Sequence, residues 1–301
     1  MVIVQLQGGL GNQMFQYAAG RALAIRNNTL LKIDLSFLKN GVLGEHVDYR
    51  NYGLNNFCII EDIINEEELN HFIRKSKFFS KLKISWFNKK TGYRLPVPKI
   101  FWQKGHGYDP EFFSLPQNSY LIGYWQNVKF FAGSEEIIKH DFMFRNLPDE
   151  SNALLLNKIK NCESVAVHIR RGDFKNLPVL GTIDPEYYIK AINYLVEKSD
   201  KPALFFFSDE MEWVKENLKS INSDCSIYYV DINNSTGSDF EDLRLMSNCK
   251  HNIVGNSTFG WWGAWLNSNP GKIVIAPEKL FTDREIDNQL QGMIPENWVR
   301  L

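Results

Sequence analysis

One stretch of the chain carries an imidazole, two guanidiniums and a carboxylate, on His168, Arg170, Arg171 and Asp173. It begins inside the run Val165–Ile169, whose apolar character is typical of a parallel strand buried on both faces. Ligands of open α/β sheets bind beyond the carboxyl ends of the strands, and arginine presents a planar fork that matches phosphate oxygens. The arginine pair therefore predicts a site for a doubly charged group such as a diphosphate. The alternative is a structural ion pair between Asp173 and a neighbouring arginine.

A glycine turn near the N-terminus could meet the same kind of ligand. Val2–Leu6 reads as a strand, and the chain then turns through Gly9, Gly11 and Asn12 into a helix that is predicted to run to about Asn27. Glycines let a backbone approach a ligand closely, and a helix N-terminus attracts an anion. This strand, turn and helix are what a nucleotide-binding fold requires.

A dinucleotide-binding fold is a rival interpretation of that unit. Asp34 stands at the end of the second predicted strand, where such folds place the acid that binds ribose. The glycine pattern is incomplete, because Met14 occupies a position that needs a small residue. A nicotinamide-dependent oxidoreductase is therefore kept only as an alternative.

Composition excludes several classes of protein. The 301 residues are long enough for two domains, and a formal charge of -1 gives no field that would collect nucleic acid. The four cysteines and six histidines lack metal-ligand spacing. The chain opens without a basic leader, and no window approaches the roughly 18 apolar residues that a membrane span needs. A cytoplasmic location is the expectation.

The second half of the chain alternates strands and helices, which predicts a doubly wound parallel sheet in a domain 151–301 that follows a domain 1–150. The loops that carry Ser208, Asp209, Asn233 and Ser257 are expected at the sheet edge that holds Arg170. The predicted elements are a helix from Pro185 capped by Asp184, a strand Ala203–Phe207, a helix from Asp209, a strand Ser226–Val230, a helix from Ser238, a strand Asn252–Val254, a helix from Ser257 and a strand Lys272–Ala276.

Ser257 and Thr258 precede a run of indoles, and hydroxyls at the start of a helix can form a second phosphate cradle. In the alternative, Ser257 only caps the helix, and the tryptophans at 261, 262 and 265 are core residues. In the first half, a strand beginning at Tyr120 ends in Tyr124, Trp125 and Gln126. These side chains could stack on a sugar and bind it, or fill the core of the first domain.

Two helices are also predicted in the first half, near Ile60–Ile73 and around Phe130–Phe142. The first is followed by a basic, aromatic run, Arg74–Lys90. Such a run is usually a solvated face; peripheral membrane contact is the alternative, and it becomes relevant if the acceptor is lipid-linked.

Four motifs together resemble the α-1,2-fucosyltransferase family of glycosyltransferases, bacterial type. They are GGLGNQMFQYA at 8–18, GYWQ at 123–126, HIRRGD at 168–173 and STFGWWGAW at 257–265, spread over nearly the whole chain. The resemblance implies an α/β fold of the GT-B type, with two Rossmann-like domains facing an interdomain cleft. It also implies inverting transfer of L-fucose from GDP-fucose to a 2-hydroxyl, commonly of galactose, without a required metal. In agreement, the chain contains no Asp-x-Asp triplet.

The resemblance also assigns roles to residues. Domain 151–301 is implied to bind GDP-fucose and domain 1–150 to lie on the acceptor side. Arg170 is the first choice to neutralise the departing diphosphate, with Asp173 fixing the arginines and His168 contacting the nucleotide or orienting Arg170. Asp209 is expected to read guanine. The full donor set is Gly9, Gly11, Asn12, Arg170, Arg171, Ser208, Asp209, Ser257 and Thr258.

Two points stay open in the sequence. No catalytic base is assigned, since the nearest carboxylates, Asp184 and Glu186, are explained by helix capping. The acceptor is either a galactose-containing glycan or a lipid-linked oligosaccharide. A sugar-binding protein without catalysis is the alternative from another functional class; such a protein is expected to lose the arginine pair or the glycine turn, and both are intact.

Overall fold

The computed structural model describes residues 1–40, 50–81, 98–176, 181–219, 221, 225–235 and 237–301. The chain divides into two compact units, Met1–Met143 and Phe144–Leu301. The division comes seven residues before the predicted boundary at 150, because the connecting residues pack on the second unit. Arg244 donates through Nη2 to the carbonyl oxygen of Asn146 at 2.9 Å, and its guanidinium lies 4.2 Å from the centre of the Phe144 ring.

The first unit is built on a parallel sheet of four strands in the order β2-β1-β4-β3. The chain crosses from one side of β1 to the other, so β1 and β4 are neighbours although they are far apart in sequence. The strands are β1 Val2–Gln5, β2 Leu31–Asp34, β3 Lys99–Trp102 and β4 Ser119–Ile122. The helices are α1 Leu10–Arg26, α2 Ser36–Asn40, α3 Glu66–Lys81 and α4 Glu135–Asp141, with 3-10 turns at Leu54–Asn56, Phe112–Ser114 and Val128–Phe131.

The two helices predicted near Ile60–Ile73 and around Phe130–Phe142 have different bounds in the structure. The segment before α3 is extended, because Ile33 donates its N–H to Asp62 and accepts from the N–H of Ile64. The helix therefore starts at Glu66 rather than near 60, and the Asn65 side chain accepts from the N–H of Glu68 at 2.9 Å. The helix predicted over 130–142 is instead a 3-10 turn and α4, separated at Gly133 with φ of 80°. Residues 82–90 of the basic run lie outside the described residues.

The second unit is a parallel sheet of six strands in the order β10-β9-β8-β5-β6-β7. Numbered within the unit, this is the order 3-2-1-4-5-6 of a doubly wound nucleotide-binding fold, as predicted. The strands are β5 Ser164–Ile169, β6 Ala203–Ser208, β7 Ser226–Val230, β8 His251–Val254, β9 Val274–Ala276 and β10 Val299–Arg300. The helices are α5 Glu150–Lys160, α6 Pro185–Val196, α7 Met211–Asn217, α8 Asp239–Asn248, α9 Thr258–Leu266 and α10 Arg284–Leu290, with a 3-10 turn at Asp173–Asn176 and another at Gln291–Met293.

The core of this sheet explains its strand sequences. Every residue of β5 is buried, as expected for a strand covered by helices on both faces. Helix α9 lies so close to β5 that a Cβ atom on Gly260 would be 2.5 Å from Nδ1 of His168. Asp184 caps α6 as predicted. No helix among the described residues is long and apolar enough to cross a membrane.

Candidate active site

The topological switch point of the second unit lies between β5 and β8, which pair in parallel with His168 opposite Val254. The chain leaves β5 towards one side of the sheet and β8 towards the other, and in doubly wound sheets the loops after two such strands flank the ligand-binding crevice. The loop after β5 carries the arginines, and the loop after β8 leads into Ser257 and α9. Two of the four sequence motifs therefore meet where the fold binds ligands.

Two carboxylates hold the Arg170 guanidinium. Nε donates to Oδ1 of Asp173 at 3.0 Å, and Nη1 lies 3.1 Å from Oδ2 of Asp209. The Arg170 side chain is 27% exposed, so the fork is fixed in place and still reachable by a ligand. The ion pair with Asp173 that the sequence left as an alternative is present, and it positions the arginine at the switch point.

Arg171 is anchored differently from Arg170. Its Nε donates to Oε2 of Glu210 at 3.2 Å, and its guanidinium lies 3.7 Å from the centre of the Trp213 ring. Lys175 also pairs with Glu210, and these two cations, Lys175 first, hold the pKa of that carboxyl below its ordinary value. Arg171 therefore fastens the loop after β5 to the loop after β6 and to α7.

Asp209 uses both carboxylate oxygens inside this loop cluster. Oδ1 accepts from the N–H of Arg171 at 3.0 Å, and Oδ2 faces Arg170. A Cβ atom on residue 172 would lie 2.5 Å from Oδ2, which explains the glycine at that position. The predicted helix start at Asp209 is wrong, because α7 begins at Met211. The Asp209 carboxylate, which was expected to cap this helix, instead binds Arg170 and the N–H of Arg171 in the neighbouring loop. Among the other residues predicted here, Ser208 Oγ accepts from the N–H of Glu210 at 3.0 Å.

His168 is buried beside the arginine and packed against α9. Its imidazole is only 6% exposed, and its Nδ1 has no hydrogen-bond partner among the described residues. Burial, helped by the charge of Arg170, lowers the pKa of His168 to about 3. The ring is therefore neutral at physiological pH, and it packs against Phe259 with ring centres 5.6 Å apart.

Ser257 caps α9, since its Oγ accepts from the N–H of Phe259 at 3.3 Å. Thr258 is the first residue of the helix and is partly exposed. The indoles of Trp261 and Trp262 are fully buried, and Trp261 Nε1 donates to the carbonyl oxygen of Met293 at 2.9 Å. The core interpretation of these two tryptophans is confirmed.

The glycine turn of the first unit lies at the carboxyl end of β1. Gly8 has φ of 75°, and Gly9 caps α1 with an ordinary φ of -70°. Two fully buried amides hold the turn: Gln16 accepts from the N–H of Gln7 at 2.9 Å, and Gln13 donates to the carbonyl oxygen of Gly8 at 3.0 Å. The sequence reading missed both amides, although glutamines within an otherwise apolar helix face were a usable signal.

Asp34 is committed to local structure. Its oxygens accept from the N–H and the hydroxyl of Ser36 at 2.8 and 2.9 Å and from the Tyr120 hydroxyl at 2.6 Å. With 2% of the residue exposed, the carboxylate is not presented to a ribose. The geometry gives no support to the nicotinamide alternative.

The residues predicted to bind acceptor sugar are brought to the carboxyl end of β4. Tyr124 is half-buried, and Gln126 donates from Nε2 to Oδ1 of Asn12 at 2.8 Å. The Trp125 indole is fully buried and stacks on Phe101 with ring centres 5.9 Å apart, so this ring cannot stack on a sugar. The GYWQ motif thus joins the glycine turn through its amide and the core through its indole.

Within the described part of the chain, no group of three or more histidine, cysteine, aspartate or glutamate side chains is arranged to hold a metal ion. Among the described residues that flank β5 and β8, the Arg170 guanidinium and the N-terminus of α9 are cationic and N–H donor groups.

Comparison with known proteins agrees with this geometry. The model of a family described as Glycosyl transferase family 11 matches residues 1–301. An alpha-1,2-colitosyltransferase of Escherichia coli is 33% identical over 316 aligned positions, covering 100% of this chain and 99% of that protein. Galactoside 2-alpha-L-fucosyltransferase Sec1 of Mus musculus is 24% identical over 284 positions, covering 88% of this chain and 64% of that protein.

The fold has a counterpart among solved structures. A complex of Arabidopsis thaliana FUT1 with GDP superposes with a TM-score of 0.54 at 12% identity, covering 99% of this chain and 75% of that one. This likeness confirms the expected α/β architecture with parallel sheets, which is that of GT-B-like glycosyltransferases. Since the family model spans every residue and all four motifs fall within it, the chain belongs to glycosyl transferase family 11, the α-1,2-fucosyltransferase family.

Proposed function

We propose that this protein moves L-fucose from GDP-fucose to the 2-hydroxyl of a galactose-containing glycan, with inversion at the anomeric carbon. The observation that carries the proposal is the Arg170 fork, held by Asp173 and Asp209 at the switch point of a nucleotide-binding sheet. Relatives named as α-1,2-glycosyltransferases and galactoside fucosyltransferases support the linkage and the acceptor class.

In this reaction the acceptor oxygen attacks the anomeric carbon, and the bond from that carbon to the diphosphate breaks. The bonding electrons leave with the diphosphate, whose charge rises as the bond opens. A preorganised donor aimed at that charge stabilises the transition state more than the ground state. Arg170 is assigned this task, and Ser257 and Thr258 at the start of α9 are assigned to hold the same group. Gly9, Gly11 and Asn12 are assigned to the donor as backbone and amide contacts.

The acceptor hydroxyl also loses a proton. His168 is an unsuitable base because it is buried with a pKa of about 3, and Asp184 is engaged as the cap of α6. A loose transition state, in which the sugar carries most of the positive charge, requires little proton abstraction before the leaving group has departed. We therefore assign the proton to no side chain: it passes to the departing diphosphate or to water, and the catalytic weight rests on Arg170.

We also propose that no metal ion takes part. In the proposed mechanism the guanidinium of Arg170 and the N-terminus of α9 carry out the charge neutralisation that a divalent cation performs in metal-dependent transferases. The absence of an Asp-x-Asp triplet from the sequence supports the proposal.

The function is tested by following GDP release from GDP-fucose with and without a β-galactoside, and by identifying the linkage in the product. We expect release that rises with the galactoside and a product fucosylated at the 2-hydroxyl. Donors carrying colitose, the 3-deoxy form of L-fucose, form a second arm because of the colitosyltransferase relative. Transfer from the colitose donor alone would replace fucose in the proposal, and transfer from neither donor would overturn it.

A further inference from the structure

The GYWQ motif contains a strained backbone. Trp125 has φ of 56°, in the left-handed region that non-glycine residues rarely occupy. The N–H of Asn127 donates to the carbonyl oxygen of Trp125 at 2.8 Å, which closes a three-residue turn centred on Gln126, directly after the strained residue. A positive φ at a tryptophan is strained, and strain of this kind persists only where surrounding contacts enforce it.

A single side chain from another strand enforces this turn. Oε1 of Gln103, the residue after β3, accepts from the N–H groups of both Tyr124 and Trp125 at 2.9 Å. The two loops approach so closely that a Cβ atom on Gly123 would lie 2.5 Å from Cβ of Gln103. Gln103 therefore supplies the acceptor for two consecutive backbone donors that the turn removes from the sheet ladder.

The indole of Trp125 is also held in place, by aromatic packing in the core of the first unit. It is fully buried, in edge-to-face contact with Phe130 at 5.2 Å and tilted against Phe112 at 5.3 Å. Its Nε1 has no hydrogen-bond partner among the described residues. Among the described residues the indole is held by packing, and Gln103 supplies the side-chain acceptor for the backbone of the turn.

The turn determines where its flanking side chains point. Tyr124 stays half-buried at the carboxyl end of β4, and Gln126 reaches Asn12 in the first turn of α1. In a parallel sheet this end is the one that meets ligands, and β1 and β4 are paired neighbours there. An aromatic ring beside an amide is a suitable pair for binding a sugar, by stacking and by hydrogen bonding.

We propose that Gln103 is a positioning residue for the acceptor. By holding the strained turn at Trp125, it presents Tyr124 and Gln126 to the acceptor sugar, while Trp125 itself contributes shape and no contact. The inference rests on the proposed glycosyl transfer. It adds to that function a residue that lies outside all four sequence motifs.

The test compares Gln103→Met, which keeps length but removes the acceptor atom, with Gln103→Glu. The glutamate keeps both acceptor contacts and gives up only the long donations from Nε2 to the carbonyl oxygens of His106 and Gly107, at 3.5 and 3.4 Å. We expect Gln103→Met to raise the acceptor KM by about tenfold or more, since two backbone donors lose their partner. The donor KM and acceptor-independent GDP release should stay within about twofold.

We expect the acceptor KM of Gln103→Glu to be closer to the wild-type value than to that of Gln103→Met. General damage to the fold would not produce this recovery of acceptor binding. Gln117→Met is the matched control, because that side chain only bridges to the carbonyl oxygen of Asn27 on the exposed surface. If Gln103→Met does not fold, Gln103→Ala, which admits water to the two donors, is held to the same criteria.

The outcomes distinguish failure of the proposed glycosyl transfer from failure of the proposed role of Gln103. A wild-type enzyme that transfers no sugar to the galactoside contradicts the proposed function itself. A wild type that transfers, together with a folded Gln103→Met whose acceptor KM is unchanged, overturns the role of Gln103. An equal rise in donor and acceptor KM would also overturn it, since the effect would then not belong to the acceptor.

Discussion

Arg170 shows how a single side chain is prepared for charge stabilisation. Two carboxylates, Asp173 and Asp209, fix a guanidinium that stays 27% exposed, so its fork is oriented before a ligand arrives. Arg171, one residue later, is turned onto Trp213 and Glu210 and holds the loop. Adjacent arginines thus have different tasks, and the difference comes from the partners that the loop after β6 provides.

Asp209 provides the first prediction at this scale. Asp209→Asn keeps an oxygen for the N–H of Arg171 but removes the charge that faces Arg170. We expect kcat to fall by about tenfold or more with a smaller change in the KM for GDP-fucose, because a misplaced Arg170 affects the transition state most. Steady-state kinetics with varied donor concentration make the measurement.

The alternative role of Asp209 gives the opposite pattern. A carboxylate that reads guanine contributes binding shared by ground and transition states, so its loss would raise the donor KM and leave kcat unchanged. Asp283→Asn is the matched control: that carboxylate also accepts from backbone N–H groups, at the start of α10, and its replacement should affect stability alone.

At the residue scale, chemistry was easier to predict from sequence than geometry. The types and spacing of His168, Arg170 and Asp173 predicted a cluster at the carboxyl end of β5, where the structure places these residues. The partners of Asp209 could not be predicted, because they depend on the distance between two loops that are about 40 residues apart in the chain. The local sequence pattern indicated that Asp209 caps a helix, but its contacts with the loop after β5 keep it outside the helix.

At the scale of elements, the glycine turn between β1 and α1 allows a test of whether Gly9 is needed for folding or for ligand binding. Gly9 has an ordinary φ of -70°, and a Cβ atom there would have no neighbour within 4 Å among the described residues. The fold therefore does not require glycine at this position. A ligand that approaches the backbone would require it.

We predict that Gly9→Ala keeps the wild-type melting temperature while raising the KM for GDP-fucose by about tenfold. Thermal unfolding and donor-dependent kinetics on the same preparations make the measurement. Gly271→Ala, where a Cβ atom would meet only Asn269 Oδ1 at 3.6 Å, is the control and should change neither quantity. An unchanged donor KM for Gly9→Ala would remove the glycine turn from the donor site.

Elements with a regular pattern of apolar residues could be predicted from the sequence. Elements whose bounds depend on contacts with distant residues could not. Most of the second sheet followed from alternating apolar runs and turn signals: strands β5 to β9 lie within two residues of the predicted ends, whereas the short edge strand β10 was not predicted. The start of α3 was misplaced because a backbone bridge to Ile33 keeps the preceding residues extended. Gln103 carried no sequence signal, since its importance comes from a turn on a neighbouring strand.

At the scale of the whole molecule, each unit has a parallel sheet whose carboxyl edge carries two of the four motifs. In the first unit the glycine turn and the GYWQ motif are joined by Gln126 and Asn12; in the second, the arginine loop and the start of α9 flank β5 and β8. This repetition explains why the motifs are distributed along the chain rather than concentrated in one segment.

The proposal as a whole predicts activity without divalent cations. In excess EDTA, transfer of fucose to a β-galactoside should proceed at the rate measured without chelator, because fixed cationic and backbone donors neutralise the diphosphate. The assay is product formation after extensive dialysis against EDTA, with added magnesium or manganese as the comparison. Loss of activity that either metal restores would contradict the metal-independent mechanism.

The most direct test of the central claim is turnover per folded molecule for Arg170→Lys, measured beside its melting curve. Lysine keeps the charge but gives up the planar fork that Asp173 and Asp209 hold at the switch point of the second sheet. We predict a folded protein whose kcat falls on the order of a hundredfold, the usual effect of removing one preorganised donor. A variant that melts at a lower temperature but turns over at nearly the wild-type rate would contradict the account, because Arg170 would then serve only the ion pairs with Asp173 and Asp209.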